Sequence, residues 1–139
     1  MQVQLTTDYA MRIIAYMLSC DALDKNNLVQ AAKMANEIGV DYQYSMKVIN
    51  QLKKADIIKS VQGCSGGYHL NGRLADLSFY DIIKTMEGEI CLIKCLHADK
   101  CSRKSQTECP LKCEFNKLQD TIVNMLKQIK IKEICTSEF

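Results

Sequence analysis

The chain has no tryptophan, a single proline (Pro110) and only two histidines, His69 and His97, among its 139 residues. With one proline and six glycines, it does not resemble a fibrous repeat or a Pro/Gly-rich disordered segment. No apolar run reaches the ~18 residues needed to cross a membrane, so no membrane partner is expected. The stretch Met1 to Thr7 is polar and lacks the basic-then-apolar pattern of a secretory signal, so a cytoplasmic location is expected. Charge of one sign is also scarce. Eighteen Lys and Arg against sixteen Asp and Glu leave a net +2, too little to indicate a polyanionic partner from charge alone. There is no C-x-x-C pair, no glycine-rich phosphate loop and no Ser-His-Asp set, so the chain is read as a non-enzyme. The rival of that class is a thiol oxidoreductase, with His97 as its only candidate base.

Cysteine, by contrast, is abundant. Five of the eight fall within 23 residues: Cys91, Cys95, Cys101, Cys109 and Cys113. The intervening gaps are three, five, seven and three residues. Disulfides are rare in reducing compartments, and 47% hydrophobic content supplies a core that needs no covalent staples, so metal or redox chemistry explains the cluster better. Lys94, Lys100, Arg103, Lys104 and Lys112 outnumber Asp99 and Glu108 there. Such a surround stabilises thiolates, which are soft metal ligands. Cys109 precedes Pro110 at an expected helix start, where backbone N–H groups favour a thiolate further. Zinc sites usually show C-x2–4-C pairs, and Cys91/Cys95 and Cys109/Cys113 fit that spacing. Zinc and metal-free thiols therefore stay open, while ferredoxin-like spacing is absent. Cys20 and Cys135 read as buried fillers, and Cys64 lies apart.

The periodicity predicts a mainly α fold with a small β-wing. Thr7 is placed as the cap of a helix over about Asp8 to Ser19. Asn27 with Gln30 resembles a capping box opening a helix over Leu28 to Ile38, ended by Gly39. Asp41 caps a third helix, about Tyr42 to Ala55, with Tyr44, Val48, Ile49 and Leu52 inward. Helix, short glycine turn, helix is the helix-turn-helix pattern. A strand from Ile57 to Val61, the glycine-rich run Gln62 to Gly67, and Tyr68-His69-Leu70 form a hairpin wing. Ser78 and Asp81 cap a helix over Phe79 to Glu87, ended by Gly88. From Pro110 onward, Leu111, Phe115, Leu118, Ile122, Met125 and Ile129 recur at 4, 3, 4, 3, 4. That is a heptad seam along about 30 Å of helix. One chain offers no second long helix to cover it, so a homodimer is expected. The organisation is residues 1–75 as a winged helix-turn-helix DNA-binding domain and 76–139 as a cysteine-rich sensor loop with a dimerisation helix, the latter one compact unit.

A two-fold dimer of such domains suits a palindromic double-stranded operator. Gln43, Ser45, Met46 and Lys47 are the outward positions near the start of the third helix. Gln43 suits adenine, and Lys47 suits guanine or phosphate. Lys53, Lys54 and Lys59 suit phosphates, and Gln62, Ser65 and Gly66 place the wing against the duplex. His69 reads as structural.

Thr7-Asp8-Tyr9-Ala10, the helix and turn from Gly39 to Ile58, the glycine wing from Gly63 to Tyr68, and cysteines before a long helix together resemble the Rrf2 family of bacterial regulators, in order and over nearly the whole chain. The resemblance implies a winged helix-turn-helix homodimer joined by the long helix. In cluster-binding members, three loop cysteines hold a 2Fe–2S or 4Fe–4S centre, and Cys95, Cys101 and Cys109 match them. Asp8 occupies the place from which some members supply a fourth ligand to the other subunit. Lys112 stands where others carry a ligating histidine. Cys91 and Cys113 are additional and open a rearranged or all-cysteine ligand set. Gln62 replaces an arginine common in the family's wing. The implied function is a transcriptional regulator whose operator grip follows an iron–sulfur cluster sensing redox state, nitric oxide or iron. The alternative within the family is a metal-free or zinc-binding regulator controlled by a partner protein or by thiol oxidation.

Overall fold

The computed structural model describes residues 2–72, 76–96 and 109–134. In chain order it contains α1 (Leu5–Ser19), α2 (Ala31–Ile38), α3 (Tyr42–Lys54), β1 (Ile58–Val61), β2 (Gly67–Leu70), α4 (Phe79–Glu87), a 3-10 turn (Lys94–Leu96), α5 (Pro110–Gln128) and a one-turn α6 (Ile131–Ile134). The fold is mainly helical with one two-stranded antiparallel sheet, as the periodicity predicts.

Where caps are local, the elements lie where expected. The Asp41 carboxylate accepts the N–H groups of Gln43 (2.9 Å) and Tyr44 (3.2 Å) and so opens α3. Gly39 ends α2 in the left-handed region at φ 68°. Ser78 and Asp81 form a full capping box at α4, with Ser78 N–H donating to Asp81 Oδ2 (2.9 Å) and Asp81 N–H to Ser78 Oγ (3.3 Å). The hairpin pairs Ile58 with Leu70 and Val61 with Gly67. Gly66 is required there, since a Cβ on it would lie 2.3 Å from the Val61 carbonyl oxygen.

Two helix starts differ from expectation. Thr7 does not cap α1, which begins at Leu5 with Gln4 at the N-cap; Thr7 is fully buried instead. The Asn27/Gln30 box does not form. Gln30 is the N-cap of α2 without a side-chain bond, and Asn27 Nδ2 donates to the Asp21 carbonyl (3.3 Å). Val29 stays extended because its backbone pairs with Tyr68, N–H to O at 2.9 and 2.8 Å. The sheet edge satisfies the groups that a longer helix would have used.

The core joins Ile13, Ile14 and Met17 of α1, Met34 of α2, Val48, Ile49 and Leu52 of α3, Ile58 and Leu70 of the hairpin, Ile82 of α4 and Ile131 of α6. Each such side chain, fully buried, contributes on the order of 1.5–3 kcal/mol. Residues from both sides of position 75 thus share one core. α5 is different, because it has no buried residue. It lies against α4 and the 3-10 turn, with Lys127 Nζ 4.8 Å from the centroid of the Tyr80 ring. Among the described residues, four of the six positions of its apolar stripe stay exposed, Leu111 at 64%, Leu118 at 54%, Met125 at 60% and Ile129 at 38%, while Phe115 and Ile122 are half-buried. The helix ends one residue before the seam does. Ile129 is extended, its carbonyl accepts Phe79 N–H (3.0 Å), and Ile131 N–H donates to the Leu77 carbonyl (3.0 Å).

Candidate nucleic-acid interface and cysteine segment

α3 buries one face and exposes the other. Val48, Ile49 and Leu52 turn inward with 0% exposure. Gln43 and Lys47 are exposed on its first turns, and Lys53 and Lys54 at its end. Ser45 corrects the sequence expectation. It is fully buried, and its hydroxyl has no hydrogen-bond partner among the described residues, so it belongs to the core and not to the outer surface. Lys47 Nζ stands 5.9 Å from the centroid of the Tyr44 ring, and Lys53 Nζ 5.9 Å from that of Tyr68. These cation–π contacts orient the stems while leaving the ammonium groups wet. Lys59 on β1 is exposed and pairs with Asp56 at 3.7 Å, an interaction weak enough to yield to a phosphate. Gln62 and Ser65 are exposed at the hairpin turn, and Gly66 is half-buried. Tyr42, half exposed at the first position of α3, also lies on this surface and was outside the expected set. His69 is buried with Nδ1 2.9 Å from the Leu70 carbonyl oxygen, a structural histidine.

In the cysteine segment, Cys91, Cys95 and Cys113 are exposed and Cys109 is half-buried. Cys91 Sγ donates to the Ile93 carbonyl (3.0 Å). Cys109 is the N-cap of α5, and its carbonyl accepts Cys113 N–H (3.2 Å). Leu92 N–H donates to Gln119 Oε1 (3.1 Å), which ties the segment to the middle of α5. Cys101 lies outside the described residues, as do His97, Lys100, Arg103 and Lys104. Among the described residues no three His, Cys, Asp or Glu side chains converge as a metal site. The donor chemistry suits a thiophilic metal centre nonetheless. Cys109 stands at the positive end of a 19-residue helix, and there a thiolate is stabilised.

Asp8 sits in the first turn of α1 and forms a 2.8 Å ion pair with Arg12 Nη2, both side chains about half exposed. The two border a cavity of about 800 Å³ that also meets Tyr16, Glu37, Phe79 and Ile131. Burial, then a hydrogen bond with Cys20, pushes the Tyr16 phenol up to about 12. Glu87, the last residue of α4, is the further polar group that sequence reasoning passed over. Its Oε1 accepts Gln4 N–H (2.8 Å) and the Thr7 hydroxyl. No local motif announces it, because its partners are 83 and 80 residues away.

A family model described as Rrf2, iron-dependent transcriptional regulator, matches residues 3–137. The chain is 24% identical over 132 residues to the HTH-type transcriptional regulator NsrR of Bacillus licheniformis, covering 95% of this chain and 90% of that protein. It is 24% identical over 139 residues to NsrR of Shouchella clausii, covering 99% and 91%. Among solved structures, CymR, the global cysteine regulator of B. subtilis, superposes with a TM-score of 0.74 at 18% identity, over 100% of this chain and 99% of that one. IscR of T. potens gives a TM-score of 0.74 at 22% identity, over 99% and 89%. These structural likenesses establish the shared fold.

Proposed function

Because the chain belongs to the Rrf2 family of transcriptional regulators, we propose that it acts in the cytoplasm as a homodimer on a palindromic double-stranded operator, and that an iron–sulfur cluster sets its grip. The observation that carries the DNA reading is the outer face of α3, where Gln43 and Lys47 stand exposed beside Lys53, Lys54, Lys59 and the wing residues Gln62, Ser65 and Gly66. Gln43 offers a bidentate amide to a base edge, and the lysines neutralise phosphates. The uncovered stripe on α5 supports the dimer, which would present two α3 helices to half-sites one turn apart.

Cys95, Cys101 and Cys109 would hold the cluster, with Asp8 of the other subunit as fourth ligand and Cys91 and Cys113 as reserve donors. When bound, the cluster supplies an iron centre sensitive to oxidants, nitric oxide and iron supply. The family description's iron dependence supports this part of the reading. The chain's own residues do the rest. Cys109 fixes the first turn of α5, the helix that carries the apolar stripe. Lys94 and Lys112 offset thiolate charge. Arg12 holds Asp8 in place on α1.

The test is purification without oxygen, iron and sulfide analysis, an absorbance spectrum, and titration of a selected palindromic duplex with loaded and cluster-free protein. Replacing Cys95, Cys101 and Cys109 together by Ala should abolish the colour. Colour and iron that survive the triple change refute the ligand assignment, and equal duplex affinity in both states refutes the control. A second reading, control by thiol oxidation without metal, draws on the exposure of Cys91, Cys95 and Cys113. Protein free of iron but with an operator affinity that responds to peroxide would favour it.

A further inference from the structure

α1 begins without a cap of its own. Gln4 at the N-cap makes no side-chain bond to the helix. Residue N3 is Thr7, which has no carboxylate to return to the N-cap backbone as in a capping box. Both residues instead donate to one distant acceptor, Glu87 Oε1, through Gln4 N–H (2.8 Å) and the Thr7 hydroxyl. Glu87 thus does from α4 what a local N3 glutamate would do, and its charge faces the positive end of α1. Thr7 is 0% exposed, so this contact is shielded from solvent on one side.

The contact continues in both directions. On the same turn of α1, Thr6 Oγ1 lies 3.1 Å from Tyr44 OH. The Tyr9 and Tyr44 rings meet edge to face, centroids 5.5 Å apart and planes at 88°. Tyr44 is in the first turn of α3, between Gln43 and buried Ser45, and Lys47 stands over its ring. In the other direction, Glu87 is followed by Gly88 at φ 89°, a backbone state that strains any residue with a side chain. Glu89, which accepts the Tyr80 hydroxyl (2.7 Å) and pairs with Lys84 of α4, comes next, then buried Ile90 and Cys91.

We propose that Glu87 is a latch that couples the cysteine segment to the recognition helix within one subunit, by the route Cys91, Glu87, the first turn of α1, Thr6, Tyr44 and α3. Closed, it fixes the first turn of α1 and, through Tyr44, the start of α3 that carries Gln43 and Lys47. When the segment after Gly88 draws the end of α4 away, the carboxylate leaves Gln4 and Thr7, and the start of α3 loosens with α1. Glu87 is a positioning residue here. It touches neither DNA nor the cysteines. The regulatory consequence rests on the function proposed above, whereas the mechanical link does not.

Hydrogen exchange followed by mass spectrometry, on the full chain without DNA or metal, tests the link. Glu87→Gln should speed exchange several-fold in peptides covering both 5–9 and 42–48. In a Thr6→Val, Tyr44→Phe background the same change should speed only 5–9. Exchange that rises in 5–9 alone in the otherwise wild-type chain overturns the latch. Should Glu87→Gln not fold, Glu87→Asp, with the charge kept and the reach shortened, should give a smaller rise in both peptides, and a rise in one alone overturns the latch equally. A second readout would be immune to simple destabilisation. With cluster absorbance intact, Thr6→Val with Tyr44→Phe should reduce the loaded-to-empty ratio of affinity for a selected duplex from the roughly 5–150-fold range of such couplings to about twofold or less. An unreduced ratio overturns the route. If the wild-type ratio is already one, the proposed function fails, and the exchange experiment still decides the latch.

Discussion

Replacing Leu118 and Met125 by alanine isolates what the α5 stripe is for. In the single chain these side chains are 54% and 60% exposed, so truncating them opens no cavity, and alanine is the best helix former. The fold of the isolated chain should therefore be indifferent. In a dimer that covers the stripe, each side chain would lose its remaining exposure. Fully burying Leu or Met contributes about 1.5–3 kcal/mol, and somewhat more than half of that is still unrealised here. Two residues on each of two subunits then amount to about 3–6 kcal/mol of association free energy, or roughly two to four decades in the dimer dissociation constant. Sedimentation equilibrium over a dilution series reads that constant directly, and circular dichroism of dilute samples confirms the helix. A double variant that dimerises as tightly as the parent refutes the seam. A parent chain that stays monomeric at micromolar concentration refutes the dimer itself.

Ser45→Ala should leave duplex affinity unchanged and stability unchanged or slightly raised, since its buried hydroxyl has no partner to lose; weakened duplex binding without loss of fold would return Ser45 to the interface. Lys47→Ala should weaken binding and lower the slope of log affinity against log salt by about 0.9 if it meets one phosphate, as read by fluorescence anisotropy across a salt series; an unchanged slope removes Lys47 from the phosphate contacts. Tyr16, held near 12 by burial and then by Cys20, keeps its proton at pH values where an unfolded tyrosine, near 10, has lost it. The folded state then binds more protons, so urea-unfolding free energy should fall as pH rises from about 10 towards 12. Tyr16→Phe should flatten that decline, and an equal decline in both proteins would contradict the burial of the phenol.

What the sequence made legible was local. The Asp41 cap, the Gly39 stop, the Ser78–Asp81 box and the glycine wing each satisfy their own backbone within a few residues, so side-chain type and spacing reveal them. The two misplaced helix starts share the opposite cause. α1 takes its capping acceptor from Glu87, 80 residues away from Thr7, and the stretch before α2 is held extended by Tyr68. Ser45 was legible and misread: Ser45, Val48, Ile49 and Leu52 form a full i, i+3, i+4, i+7 inward set, whereas the sequence reading put Tyr44 at its head. For the cysteines the donor chemistry was readable. Their mutual geometry was not, because a segment without helical or strand period carries no spatial register in its spacing, and Cys101 lies outside the described residues.

The attachments of α5 determine which of its ends can move. Its C-terminal end is stitched to the start of α4 by the bonds from Phe79 N–H to Ile129 and from Ile131 N–H to Leu77, and Ile131 enters the close-packed core. Midway, Gln119 Oε1 accepts the N–H of Leu92. At the other end, Cys109 and Cys113 stand on a first turn with no buried residue, and the stripe begins two residues after Cys109. A 19-residue helix is about 28 Å long, so a 10° tilt about its anchored end carries the cysteine end through about 5 Å, one helical pitch. The anchored end adjoins Ser78, which opens α4, and α4 closes on Glu87. A rod anchored to the core at its C-terminal end, with Cys109, Cys113 and the head of its apolar stripe at the other end, turns a small change at Cys109 into a large displacement of the surface that a second subunit would cover. The same tilt pulls on Leu92 and so on the segment that begins just beyond the Glu87 contact with α1.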